Sequence, residues 1–91
     1  MIYSLTATNR FKKDLKVLIR RGYDMSLLQS VVDTICNDLP LPDKHRDHAL
    51  SGNWAGYREC HITPDWLLIY RIDKDILVLT LTRTGSHSDL F

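Results

Sequence analysis

The residues with most chemistry to offer lie in the last third of the chain, in HITPDWLLIYRIDKDILVLTLTRTGSHSDLF, residues 61–91. Two apolar runs, which read as strands, are bounded by titratable side chains: His61 and Asp65 in front, Arg83 and His87 behind. Residues that flank a hairpin turn face each other across the two strands, so the turn at Thr63-Pro64-Asp65 brings His61 and Asp65 within reach. A carboxylate beside an imidazole favours the imidazolium and raises its pKa from about 6.5, which suits proton transfer near neutral pH. The plainer alternative is an Asx-type turn at Asp65, with His61 a solvated strand end. Arg83 closes the last strand, where its planar fork fits two phosphate oxygens. Gly85 then allows a sharp turn that returns His87 toward the same strand end.

His45 and His48, in the loop segment HRDH, complete a set of four histidines, none of them on a helical apolar stripe. A metal site is the rival reading, with His45 and His48 as two ligands and His61, His87 or Cys60 as a third. No zinc-like Cys/His spacing is present and the carboxylates are scattered, so neither metal nor cofactor is expected. Nor is there a phosphate-binding glycine loop. Imidazoles, a carboxylate and an arginine, without a Ser or Cys nucleophile in a recognisable motif, suit metal-independent RNA cleavage. The ribose 2′-hydroxyl is then the nucleophile. The protein supplies a base and an acid, for which histidine serves, and a cation for the charge that develops on phosphate oxygens. Phe91 offers an apolar ring for the core or for a stacked base.

These groups need a scaffold. Ninety-one residues, 44% hydrophobic and 25% charged, suit a single globular domain over residues 1–91. No run of 18 apolar residues exists, and MIYSLTATNRFKKDLK lacks a signal-peptide pattern. With only two cysteines, Cys36 and Cys60, a reduced cytoplasmic protein is the expectation. A strand is expected over residues 2–6, then a helix capped by Thr8 or Asn9. Phe11, Leu15, Leu18 and Ile19 form its apolar face and Gly22 its end. Arg10, Lys12, Lys13, Lys16, Arg20 and Arg21 fill its other side: a solvated face, or a patch for a polyanion. A second helix should start at Asp24 or Ser26, with Ser26 and Gln29 at capping-box spacing. Its stripe is Leu28, Val31, Val32, Ile35 and Leu39, and Pro40 and Pro42 stop it. A long loop over residues 40–56 and three strands follow: YRECHI, WLLIYRI (apolar on both faces, as a central strand would be) and DILVLTLTR, the last two joined at Asp73-Lys74-Asp75. The architecture expected is α+β, a small, mainly antiparallel sheet with an N-terminal strand and a helical hairpin packed on it.

From residue 46 onward the order of fixed residues resembles the YafQ branch of the RelE/ParE toxin superfamily. The matching elements are His48-x-Leu50, Gly52-x-Trp54-x-Gly56-x-Arg58, His61, Pro64-Asp65-Trp66, Leu68-Ile69-Tyr70, Arg83-Thr84-Gly85, His87 and Leu90-Phe91. The resemblance implies a RelE-like fold and the toxin of a bacterial type II toxin–antitoxin pair, an endoribonuclease that cuts mRNA at the ribosomal A site and inhibits translation. By the same resemblance the catalytic positions are His48, His61, Asp65 and His87, with Arg83 and Phe91 at the same site. Which histidine is acid and which is base stays open. Lys44, Arg46 and Arg58 are read either as phosphate contacts or as ordinary surface charge. Trp66 is read as core. The partners implied are a cognate antitoxin, mRNA and the ribosome, with the basic first helix facing 16S rRNA and DNA met only through the antitoxin complex. The alternatives are a gyrase poison of the ParE kind, which has no need of clustered imidazoles, and a non-catalytic corepressor module.

Overall fold

The structure is a computed structural model and describes residues 2–91. In chain order it runs β1 (Ser4–Ala7), α1 (Asn9–Arg20), α2 (Met25–Cys36), β2 (His48–Ala49), β3 (Arg58–Thr63), β4 (Trp66–Asp73), β5 (Val78–Gly85) and α3 (His87–Leu90), with short 3-10 turns at Asp43–His45 and Gly52–Trp54. The sheet order is β1-β5-β4-β3-β2. β1 lies parallel to β5, and the other neighbours are antiparallel. This is the expected α+β class, a mainly antiparallel sheet carrying a helical hairpin.

Capping chemistry sets the helix limits. Thr8 accepts from the Phe11 amide at the start of α1 and donates its hydroxyl to the Thr82 carbonyl, which ties the helix start to β5. Gly22, at φ +80°, ends α1: the Tyr23 amide reaches back to the Leu18 carbonyl, the closing bond of a Schellman turn. α2 begins at Asp24, whose carboxylate takes both the amide and the hydroxyl of Ser26, and not with the Ser26–Gln29 capping box; Gln29 instead donates to Asp33. Its end also departs from expectation. Asp38, at φ +56°, enters the left-handed region before either proline, and the Leu39 amide bonds the Thr34 carbonyl. Leu39 therefore leaves the apolar stripe and is exposed, as is Ile19 on α1. β1 starts later than expected, because the amides of Ile2 and Tyr3 go to the Cys36 carbonyl.

In a sheet, directly opposed residues share a face and successive residues alternate between faces. Cys60, Leu68 and Thr84 lie in one row across β3, β4 and β5, on the face covered by the helices. There the core gathers Phe11, Leu18, Val31 and Ile35 from the helices with Trp66 and Tyr70 from the sheet. Leu67, Leu68 and Ile69 are all fully buried, which fits the double-sided apolar pattern of β4 and its central place. Trp66 is core: its indole donates to the Thr84 hydroxyl, which donates on to the Leu67 carbonyl. The opposite face carries two polar rows, His48–Glu59–Ile69–Arg83 and His61–Leu67–Gly85.

Candidate active site

The β3–β4 turn is tighter than a hairpin with His61 at its mouth. Thr63 pairs with Trp66 and His61 with Leu67, with a register shift between them, so Pro64 and Asp65 alone make the bend. His61 therefore sits inside β3, and the expected His61–Asp65 pair does not form. Its Nδ1 lies 3.2 Å from the Pro64 carbonyl, while Nε2 lies 3.8 Å from a Glu59 carboxylate oxygen. Two residues apart on one strand, Glu59 and His61 present to the same face.

His48 mirrors this arrangement from the neighbouring strand. It lies in β2, not in a loop, directly opposite Glu59. Its Nδ1 is 2.6 Å from the Arg46 carbonyl and its Nε2 is 3.6 Å from the same Glu59 oxygen. A carbonyl oxygen only accepts, so each ring carries a hydrogen on Nδ1 and turns Nε2 toward Glu59. The buried Glu59 carboxylate thus stands between two imidazoles whose tautomers are set by the backbone. Sequence reasoning missed Glu59, although the alternation in RECHI already places it on the face of His61. His45 contributes from beneath: its Nδ1 donates to the His61 carbonyl at 2.6 Å, which pins the 3-10 turn against β3.

Asp65 faces the other way along the site. Its carboxylate accepts from the His87 amide at 3.3 Å, so it holds the start of α3 and does not touch the His61 ring. That short helix, His87–Leu90, is capped reciprocally by Ser86 and Asp89. Asp89 also receives the Arg21 guanidinium at 2.8 Å, which anchors α3 to the end of α1. Arg21 holds the Asp89 carboxyl at about 2, below the usual carboxylate range. Gly85 lies close against Asp89: a Cβ there would stand 3.0 Å from the Asp89 Cβ. So placed, the His87 and Phe91 rings lie 5.4 Å apart, both at the surface.

Lys44, Arg46, His61 and Pro64 line a hollow of about 320 Å³ beside these groups. Arg46 is turned there by a left-handed backbone at φ +46°. The β3–β4 turn thus has the His61 ring at its Pro64 carbonyl and the His87 amide at its Asp65 carboxylate, with Lys44 and Arg46 beside His61.

Arg83 stands apart. Asp14 of α1 takes its Nε at 2.7 Å and its Nη2 at 3.1 Å, and the same carboxylate accepts from the Thr84 amide. The open phosphate fork expected at position 83 is instead half engaged by a carboxylate, a partner that residues 61–91 could not reveal. Arg58 likewise turns to Asp47, which also accepts from the Tyr70 hydroxyl. Among the described residues no group of three or more His, Cys, Asp or Glu side chains is arranged to hold a metal ion. Cys60 is wholly buried and its thiol is pushed up to about 12, mainly by that burial, so it is no nucleophile at neutral pH. No helix among the described residues is long and apolar enough to cross a membrane.

The chain is similar in sequence and in fold to known bacterial toxins. The mRNA interferase toxin YafQ of Escherichia coli K12 is 40% identical over 85 residues, covering 92% of this chain and 90% of that protein. YafQ in the crystal structure of the E. coli DinJ–YafQ complex superposes with a TM-score of 0.89 at 38% identity, over 98% of both chains. A metal-bound toxin from Helicobacter pylori reaches a TM-score of 0.92 at 44% identity, over the whole of both chains. The family model for the bacterial toxin of type II toxin–antitoxin systems, YafQ, matches residues 3–91, and with relatives this close over nearly the full length the chain belongs to the YafQ family of bacterial toxins.

Proposed function

We propose that this protein is the toxin of a type II toxin–antitoxin pair and an endoribonuclease that cuts mRNA by attack of the ribose 2′-hydroxyl. The observation that carries the reading is the placement of His48 and His61 on either side of Glu59, next to a hollow walled by Lys44 and Arg46 and close to the β3–β4 turn that holds His87. One imidazole Nε2 removes the 2′-hydroxyl proton and the oxygen attacks phosphorus. The bond to the 5′-oxygen breaks, and a second imidazole returns a proton to that leaving oxygen. The products are a 2′,3′-cyclic phosphate and a 5′-hydroxyl. His87, solvent-facing on α3, and His61, across the Asp65 turn, are the two imidazoles assigned here to opposite sides of one phosphodiester. Glu59, which His48 also faces, and the Pro64 carbonyl set the orientation of the His61 ring.

Lys44 and Arg46 meet the charge on the phosphate oxygens. Two of the five N–H donors of Arg83 go to Asp14, so Arg83 contributes with those that remain. Phe91 packs near His87 and offers its exposed ring to a base. The exposed basic side of α1 suits ribosomal RNA, which would bring mRNA in the A site to the site described here. A cognate antitoxin would bind the toxin directly, as DinJ forms a complex with YafQ in E. coli.

Mapping of mRNA 5′ ends after brief induction tests the reading. Wild type should generate new 5′-hydroxyl ends and arrest growth, and His87→Ala should abolish both. Growth arrest with intact mRNA and damaged DNA would replace it with gyrase poisoning.

A further inference from the structure

The polar face of the sheet continues past the histidines. Along β3 and the residue before it, Tyr57, Glu59 and His61 alternate onto one face, and Arg71 joins them from β4, two residues on from Ile69. The Arg71 guanidinium lies over the Tyr57 ring, 6.0 Å from its centroid, and Trp54 meets that ring edge-on at 5.4 Å. Beside them is a hollow of about 240 Å³, walled by Tyr57, Arg71, Asp73 and Val78 and by the hydroxyl-bearing Thr80 and Thr82. None of these residues belongs to the site described above. Four steps along the strand take Tyr57 to His61, about 13 Å at about 3.3 Å per residue. A strand of RNA with its scissile phosphate at His61 and His87 can therefore lay a neighbouring nucleotide on this platform.

We propose that Tyr57, Arg71 and the threonine-lined hollow form a second nucleotide subsite, which holds a base of the same single-stranded RNA a few positions from the bond that is cut. An aromatic ring with a guanidinium in cation–π range offers both an apolar face and positive charge, and such rings and guanidinium planes are what unstacked bases lie against. Arg71 also brings positive charge to the backbone, while the Thr80 hydroxyl can donate to or accept from a base edge and the Thr82 hydroxyl, which donates to the Thr80 carbonyl, can accept. An aromatic–arginine plane on the same sheet face as the candidate site favours RNA over a protein strand, which would seek an unpaired sheet edge. The subsite rests on the endoribonuclease reading and adds a binding determinant to it.

The test is cleavage of one mRNA in a bacterial cell-free translation extract, with purified toxin and varied mRNA concentration. Tyr57→Ala and Arg71→Ala should each raise the half-saturating mRNA concentration by about fivefold or more while the rate at saturation changes little. Tyr57→Phe, which keeps the ring, should restore wild-type behaviour, and thermal melting should show all variants folded. Wild-type saturation curves for both alanine variants would overturn the subsite while leaving the endoribonuclease reading intact. Cleavage unchanged but escape from antitoxin would also overturn it, and would give the hollow to a protein partner. If wild type makes no cuts, the endoribonuclease reading fails and the subsite with it.

Discussion

Loss of one imidazole from an acid–base pair removes about 10²–10⁴ in rate. His61→Ala and His87→Ala should each fall by that order in the number of new mRNA 5′ ends per unit time, with the fold retained. Glu59 separates two accounts of His61. If the carboxylate orients the ring and balances its charge, Glu59→Gln should lower the rate by less than His61→Ala, because an amide keeps the shape but not the charge. Asp65, as a positioning group, acts through the His87 amide and not through the His61 ring. Asp65→Asn keeps an oxygen that can accept from that amide and should retain more activity than Asp65→Ala; equal loss in both would point to a role for the charge itself. At this scale residue type was legible and partnership was not. The histidines and the acid were visible in the sequence, but a register shift between His61 and Thr63 turned one toward Glu59 and the other toward α3.

The element that matters most is α3, too short to persist by itself and held by the Ser86–Asp89 cap and the Arg21 bridge. The Asp89 carboxyl lies at about 2 in the fold, against an ordinary value of 3.8. A depressed carboxyl stabilises the fold above its unfolded value, and that contribution is lost as pH falls through the folded one. The docking of α3 should therefore persist at pH 5 and weaken between about pH 4 and 2. The His87 amide resonance, followed by NMR through that range, would report it. In Arg21→Ala the carboxyl should titrate nearer its ordinary value, so the change should move to higher pH. Because Arg21 and Asp89 are partly exposed, added salt should narrow the difference. Gly85→Ala should release the same helix at neutral pH, since its Cβ would press on Asp89, and should lower cleavage without unfolding the sheet.

Across the whole molecule, the core under the helices keeps the histidine strands in register. Leu68, wholly buried in the central strand, should cost about 2–5 kcal/mol when cut to alanine, measured by urea unfolding. Cys36 and Cys60 are both buried, with thiols pushed up by that burial, so neither should react with a thiol reagent until the protein unfolds.

The sequence by itself determined the class of fold and most of its elements, because periodicity, caps and turn residues act over a few neighbours. Phe11 and Leu18 on one helix face, Gly22 at its end, and the double-sided apolar run from Trp66 to Tyr70 all carry their meaning locally. It also showed, by residue type, which side chains are able to do acid–base chemistry. What only the tertiary structure decided are the long-range pairings: Asp14 with Arg83, Arg21 with Asp89, and Asp65 with the His87 amide, each joining positions more than twenty residues apart. A charged side chain chooses among several distant partners by geometry. That geometry comes from how the two helices and the sheet close on one another, which no local pattern records.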